Sequence, residues 1–235
     1  MRVALEAELR GRLVRRYQRF FADVALDDGR VVTVHCPNPG SMLGCDAPGS
    51  EVRCSTSASP ARKLPHTLEM VRVGGAWVGL HTTRANALFA AALAAGAVPG
   101  FTGYAEVPRE VRAGDGSRLD FRLAGHPRDP RPAWVEVKSA TLAAGDLARF
   151  PDCVTERGRR HLGALAALRA AGDRAALAFV IQRGDCTAFA PADDLDPRYG
   201  EALRAAAKAG VEVLALRARV TPEALVLEGP VPVRL

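Results

Sequence analysis

The stretch SRLDFRLAGHPRDPRPAWVEVKSATL, residues 117–142, predicts the hairpin around which the rest of the chain is read. Each arm alternates apolar and polar residues, and side chains two apart on a strand share a face. Leu119, Phe121 and Leu123 fall on one face, with Arg118, Asp120 and Arg122 on the other. In the second arm Val135 and Val137 oppose Trp134, Glu136 and Lys138. Paired arms would set Asp120 beside Glu136. Two carboxylates that close repel, and one takes up a proton unless a cation intervenes. A divalent ion resolves the conflict: Mg²⁺ takes one or two protein carboxylates and keeps several waters. The carbonyl of Val137 is a further oxygen in reach. A lysine beside such an ion can steer the attacking water or stabilise the charge that develops on phosphorus. The ion itself acidifies its water and polarises the phosphoryl oxygen.

The same residues also suit a solvent-facing strand laced by cross-strand salt bridges. The lysine content bears on the choice. Arginine supplies nearly all the basic residues, and lysine occurs only at Lys63, Lys138 and Lys208. A compact ammonium whose pKa can move is not interchangeable with a wide guanidinium, so a retained lysine is informative.

The chain has 235 residues and a net charge of +6, a mild basicity that fits a polyanionic partner. No apolar run reaches the length of a membrane span, and charged residues interrupt the N-terminal segment MRVALEAELRGRL. No membrane and a cytoplasmic location are therefore expected. The cysteines Cys36, Cys45, Cys54, Cys153 and Cys186 are scattered and odd in number, which predicts free thiols rather than disulfides or a zinc site.

Residues 1–80 read as short strands separated by turns. ELRGRLVRRYQRFFADVAL supplies a long strand or a pair, and RVVTVHC follows the Asp27-Asp28-Gly29 turn signal. EVRCSTS, TLEMVRV and AWVGLHT follow, the last two flanking Gly74-Gly75. That pattern predicts an OB-like barrel. From residue 81 to 235 the pattern changes to α/β. TRANALFAAALAAGA is a helix, followed by strands in YAEVPREVR, SRLDFRL and WVEVKS. TERGRRHLGALAALRAAG is a helix that starts near Asp152 or Thr155. ALAFVIQ is a strand covered on both faces, PRYGEALRAAAKAG a third helix, and VEVLALRARV a strand. Strand, helix, strand implies parallel crossovers in a mixed sheet.

Arg10, Arg12, Arg15, Arg16 and Arg19 interleave with Tyr17, Phe20 and Phe21, a basic and aromatic barrel face suited to nucleic acid or to ordinary solvent exposure. Arg62 and Lys63 extend it. Arg157 and His161 lie four apart on one helix face and could reach a scissile phosphate near Lys138. Gln182 ends a buried strand, where ligand-facing groups gather in parallel sheets. HCPNPGSM, residues 35–42, is first a turn, with polar density enough for a phosphate.

Several blocks in order resemble the sugar fermentation stimulation protein A (SfsA) family: RYQRFFADV, HCPNPGSM, RKLPHTLEMV, SRLDFRL, VEVKSATL, FPDCVTERGRRHL and VLALRARV. The resemblance runs nearly end to end. It implies an OB-like N-terminal domain, a PD-(D/E)xK nuclease-like C-terminal domain, DNA binding and a role in regulating sugar use such as maltose metabolism. Asp120, Glu136 and Lys138 match the acid and Glu-x-Lys of the nuclease-like pattern, with Mg or Mn as the implied ion. The chain departs from the family pattern at four places. Ala91 stands where a helix glutamate is expected, for which Glu106 or Glu110 could substitute as a ligand. His81, Pro39 and Leu68 stand for an expected Asn, Thr and Trp.

The expected function is thus a DNA-binding protein with a metal-dependent phosphodiesterase site. Asp120 and Glu136 would hold metal, and Lys138 and Gln182 would complete the catalytic set. A DNA-binding platform without turnover is the alternative, and an enzyme on RNA or a nucleotide a third.

Overall fold

The computed structural model describes residues 1–114 and 116–235. Its N-terminal part holds β1 (Arg2–Ala4), β2 (Leu9–Tyr17), β3 (Phe21–Leu26), β4 (Val31–His35), β5 (Glu51–Thr56), β6 (His66–Val73) and β7 (Ala76–Gly79). There follow α1 (Thr83–Ala94), β8 (Arg109–Arg112), β9 (Arg118–Leu123), β10 (Ala133–Ala140), β11 (Leu142–Ala144) and β12 (Leu147–Phe150). The chain ends with α2 (Glu156–Ala170), β13 (Arg174–Ile181), β14 (Ala188–Pro191), α3 (Pro197–Lys208), β15 (Glu212–Thr221) and β16 (Ala224–Pro230). Among the described residues no helix is long and apolar enough to cross a membrane.

Strands β2 to β6 close into a five-stranded barrel. The order is β4-β3-β2-β5-β6, and a parallel contact between His35 and Thr67 joins β4 to β6. That is the OB-like connectivity, with β7 hung on the outside of β6. Alternation fills the barrel: Leu13, Val24, Val34, Val52, Leu68 and Val71 pack inside with the thiols of Cys36 and Cys54. Gly11 is small for a reason, since a Cβ there would come within 2.5 Å of the Ala25 carbonyl oxygen across the ladder.

The second part is a mixed seven-stranded sheet of order β1-β16-β15-β13-β10-β9-β8. Strand β13 runs parallel to both β10 and β15. The N-terminal β1 joins this sheet rather than the barrel, through Arg2–Ala4 against β16. Strand β13 is buried on both faces, as its unbroken apolar run requires. Ala176, Ala178 and Val180 meet α1 residues Leu88 and Phe89 on one face. Leu177, Phe179 and Ile181 meet Leu165 of α2 and Tyr199 and Leu203 of α3 on the other. Helices α2 and α3 start at side-chain caps that satisfy otherwise orphaned N–H groups. Thr155 accepts from Gly158 N at 3.1 Å, and Asp196 from Tyr199 N at 3.1 Å.

Three local expectations change. The segment TLAAGDLARF, unassigned from sequence, forms β11 and β12, and β12 pairs with β14 to make a small separate sheet. The strand expected in YAEVPREVR is confined to Arg109–Arg112, with Glu106 in an isolated bridge to Ala124. Strict alternation in SRLDFRL also breaks: Leu119 packs with the α2 side, whereas Phe121 and Leu123 pack with the α1 side. The change falls at Asp120, which has no partner in the ladder registers of either β8 or β10.

Candidate functional site

A cleft of about 550 Å³ opens where barrel, sheet and helices meet. Asp120, Glu136 and Lys138 all line it, so the structure brings together the three residues singled out from the hairpin. They arrive by different routes. Glu136 and Lys138 share the α2-facing side of β10. Asp120 sits at the break in β9, where its carboxylate bridges the opening arms. Asp120 Oδ2 accepts the Val137 N–H at 2.7 Å, and Oδ1 accepts from Asn86 Nδ2 on α1 at 2.7 Å.

Glu136 is 4 % exposed. Its Oε1 accepts from Lys138 Nζ at 2.6 Å and touches His161 Nδ1 of α2. Arg157 Nε donates to His161 Nε2 at 3.4 Å. With Nε2 accepting, the proton of a neutral ring sits on Nδ1 and points at the carboxylate. Glu136 Oε2 is buried and has no hydrogen-bond partner among the described residues. Burial alone would raise the Glu136 pKa, but the His161 hydrogen bond and the Lys138 charge together hold it below its ordinary value. The Asp120 carboxyl is pushed up to about 6, first by burial and then by the nearby Glu136 charge. Two acids in one cleft are thus driven apart in acidity.

The barrel supplies the opposite wall through the turn of residues 38–41. Arg16 donates to the carbonyls of Asn38, Gly40 and Ser41 at 2.9, 2.7 and 3.2 Å. Asp152, just before α2, locks the far side: its Oδ2 accepts from Met42 N at 2.8 Å and its carbonyl from Ser41 Oγ at 2.6 Å. Gly40 permits that approach, since a Cβ there would lie 2.6 Å from the same carboxylate. The polar turn HCPNPGSM therefore spends its groups on building a wall.

The other expected residues separate into two sets. Arg19 and Arg157 reach the cleft, and His161 backs it. Arg10, Arg12, Arg15, Arg62 and Lys63 lie outside its walls, exposed on the barrel. Arg15 pairs with Asp23 at 2.7 Å and stacks over Tyr17 at 4.8 Å. A register shift between Leu13 and Arg15 turns Arg16 away from Arg10 and Arg12, so the arginines do not form one continuous face. Gln182 is fully buried and is not among the cleft walls, lying behind Ser139, which is. Its Nε2 donates to Ser139 Oγ at 2.7 Å and to the His81 carbonyl at 3.3 Å, and its backbone carbonyl accepts from Gly79 N. It ties the end of β13 to β7, beside the barrel, and to the entry of α1.

Asn86 and Asp152 were not foreseen. Asn86 reaches the cleft from α1 and holds Asp120 by a hydrogen bond, and does not supply the further carboxylate ligand expected of the missing glutamate. Ala91 lies five residues on, about 140° round α1 from Asn86, and is not among the cleft walls. Glu110 is held by Arg118 at 2.8 Å on the surface, and Glu106 is likewise outside the cleft. Asn86 could have been found only by knowing which face of α1 meets the opening in β9.

Comparison with known proteins places this geometry. Residues 83–224 match the family model described as "Sugar fermentation stimulation protein RE domain", and residues 14–80 match "SfsA N-terminal OB domain". A sugar fermentation stimulation protein homolog of Geobacter sulfurreducens is 52% identical over 223 residues, spanning 95% of this chain and 94% of that protein. A homolog of Rhodospirillum centenum is 50% identical over 214 residues, 91% of each chain. A solved structure described as "The structure of Pyrococcus Furiosus SfsA in complex with Ca2+" superposes with a TM-score of 0.89 at 28% identity, covering 100% of both chains.

Proposed function

The chain belongs to the sugar fermentation stimulation protein family, and from that premise we propose that it binds DNA in the regulation of sugar use, with a divalent-cation site for phosphodiester cleavage in its cleft. The observation that carries this reading is Glu136 Oε2, a buried carboxylate oxygen without a partner among the described residues, beside a second carboxylate whose pKa is pushed up to about 6. An uncompensated buried carboxylate oxygen costs free energy until a cation or a hydrogen-bond donor meets it.

The donor set fits a hard ion. Asp120 and Glu136 offer oxygens only, as Mg²⁺ or Mn²⁺ would use. Among the described residues no three His, Cys, Asp or Glu side chains group to hold a metal, so two carboxylates and water would complete the shell. The Ca²⁺ complex of the Pyrococcus furiosus relative supports an oxygen-liganding ion in the same fold. When bound, such an ion polarises a phosphoryl oxygen and acidifies water.

The chain's own groups do the rest. Asn86 and the Val137 N–H fix the orientation of Asp120. His161 holds Glu136 in place. Lys138, with its ammonium in the cleft, steers the attacking water or meets the charge on phosphorus. Arg19 and Arg157 on opposite sides of the cleft attract the phosphate backbone. The exposed barrel arginines Arg10, Arg12 and Arg15 extend that attraction. The free thiols support action in the cytoplasm.

A platform without turnover is favoured by one observation: Lys138 already sits 2.6 Å from Glu136 Oε1, a pairing that satisfies half the carboxylate without any ion. One experiment separates the readings. Purified protein with Mn²⁺ is offered single-stranded, duplex and branched DNA and RNA, and cleavage and binding are scored separately. Cleavage lost in Lys138→Ala with DNA affinity retained supports the enzyme. Binding without cleavage supports the platform, and no binding to any nucleic acid ends both.

A further inference from the structure

A second groove lies behind the cleft, also of about 550 Å³. Ser117, Arg118, Arg157, Arg160, His161 and Ala164 wall it. Arg157 lines both spaces, and His161 faces the groove while its Nδ1 rests against Glu136. Positions 157, 160, 161 and 164 fall at helix spacings of three, four and seven, so one face of α2 builds the wall.

The described lining of the groove is positive. No Asp or Glu is among the described residues that line it. Arg160 is exposed and makes no hydrogen bond or ion pair among the described residues. Arg118 pairs with Glu110 at 2.8 Å, but the side chains are 61% and 55% exposed. A pair that open to water contributes little and exchanges readily for a phosphate. The lining is also low: a Cβ added at Gly163 would meet nothing within 4 Å.

We infer that this groove is a phosphate-binding subsite for the nucleic-acid strand, holding backbone that has passed the cleft and crossed Arg157. The inference rests on the DNA reading and deepens it: the ligand is an extended strand, not a mononucleotide or a free phosphate. Two spaces in series sharing one arginine match a polymer with a charge at every residue. A single anion would need only one of them.

The test compares affinity for a dinucleotide and for a longer single strand, with Ca²⁺ present, over a range of salt. Wild type should bind the longer strand more tightly. Arg160→Ala should lose that increment while keeping dinucleotide affinity, and its slope of log K against log salt should be shallower by about 0.7, the loss of one phosphate contact on a single strand. Gly163→Glu, which adds a carboxylate where there is room for one, should lose the same increment. Lys208→Ala removes an exposed charge from the end of α3 and should change neither value. Arg160→Ala and Gly163→Glu binding the longer strand as wild type does would overturn the inference alone. So would inorganic phosphate competing with the dinucleotide and the longer strand equally. A wild type that binds neither oligonucleotide ends the DNA reading, and the subsite with it.

Discussion

Asp120 Oδ2 accepts the backbone N–H of Val137 at 2.7 Å, so a side chain takes the place of a ladder carbonyl at the point where β9 and β10 part. The opening that admits a cleft and the carboxylate that lines it are therefore one feature. Asn86 completes it from α1, and the residue is held between two donors while its charge stays close to Glu136.

That arrangement makes stability depend on pH in a stated direction. Asp120 has a folded pKa of about 6 against an ordinary 3.8, because of burial and then the Glu136 charge. The folded chain keeps a proton that the unfolded chain releases. The contribution is full below the ordinary value and is lost as pH rises through about 6. Asp120→Asn removes this titration. Without divalent cations, the difference in unfolding free energy between variant and wild type should move in the variant's favour by on the order of 2 kcal/mol across that window. Denaturant titrations at several pH values check it, and a difference that stays flat refutes it.

His161 and Glu136 form a second dependent pair. His161→Leu leaves a carboxylate that is 4 % exposed with Lys138 as its remaining partner. A loss of about 2 kcal/mol is expected, as for removing a hydrogen bond to a buried charged group. Adding Glu136→Gln takes away the stranded charge, so the double variant should be more stable than the sum of the single losses implies, by more than about 1 kcal/mol. Strict additivity in the double-mutant cycle would show that His161 only fills space.

Much of this was legible because strand alternation and turn residues are local signals. The barrel strands, the three helices and the doubly buried β13 follow from spacing within short segments, and the hairpin pattern puts Asp120 on the strand beside that of Glu136 and Lys138. What stayed hidden depends on long-range contact. Asp152 reaches Met42 across 110 positions, and Gln182 reaches the His81 carbonyl across 101. Neither has a periodic signature. The face change at Asp120 was hidden for another reason: alternation assumes an unbroken ladder, and this ladder breaks at the functional residue. The bulge after Leu13 misplaced Arg16 in the same way.

Arg15 and Arg16 are neighbours in sequence with different roles, which gives the last prediction. Arg16 is half-buried and donates to four carbonyls, those of Arg19, Asn38, Gly40 and Ser41. Arg16→Ala should cost on the order of 2 kcal/mol, because several charged donors to mostly part-buried carbonyls are lost together. Amide exchange in residues 38–42 should quicken, since the turn then keeps its Asp152 and Arg19 contacts but loses the Arg16 bonds. Arg15 has a 67% exposed side chain beside Asp23, and its removal should leave stability nearly unchanged. It should instead flatten the salt dependence of DNA binding by roughly one phosphate contact. If Arg15→Ala destabilises as much as Arg16→Ala, or if Arg16→Ala changes only the salt slope, the division between wall-building and strand-facing arginines is wrong.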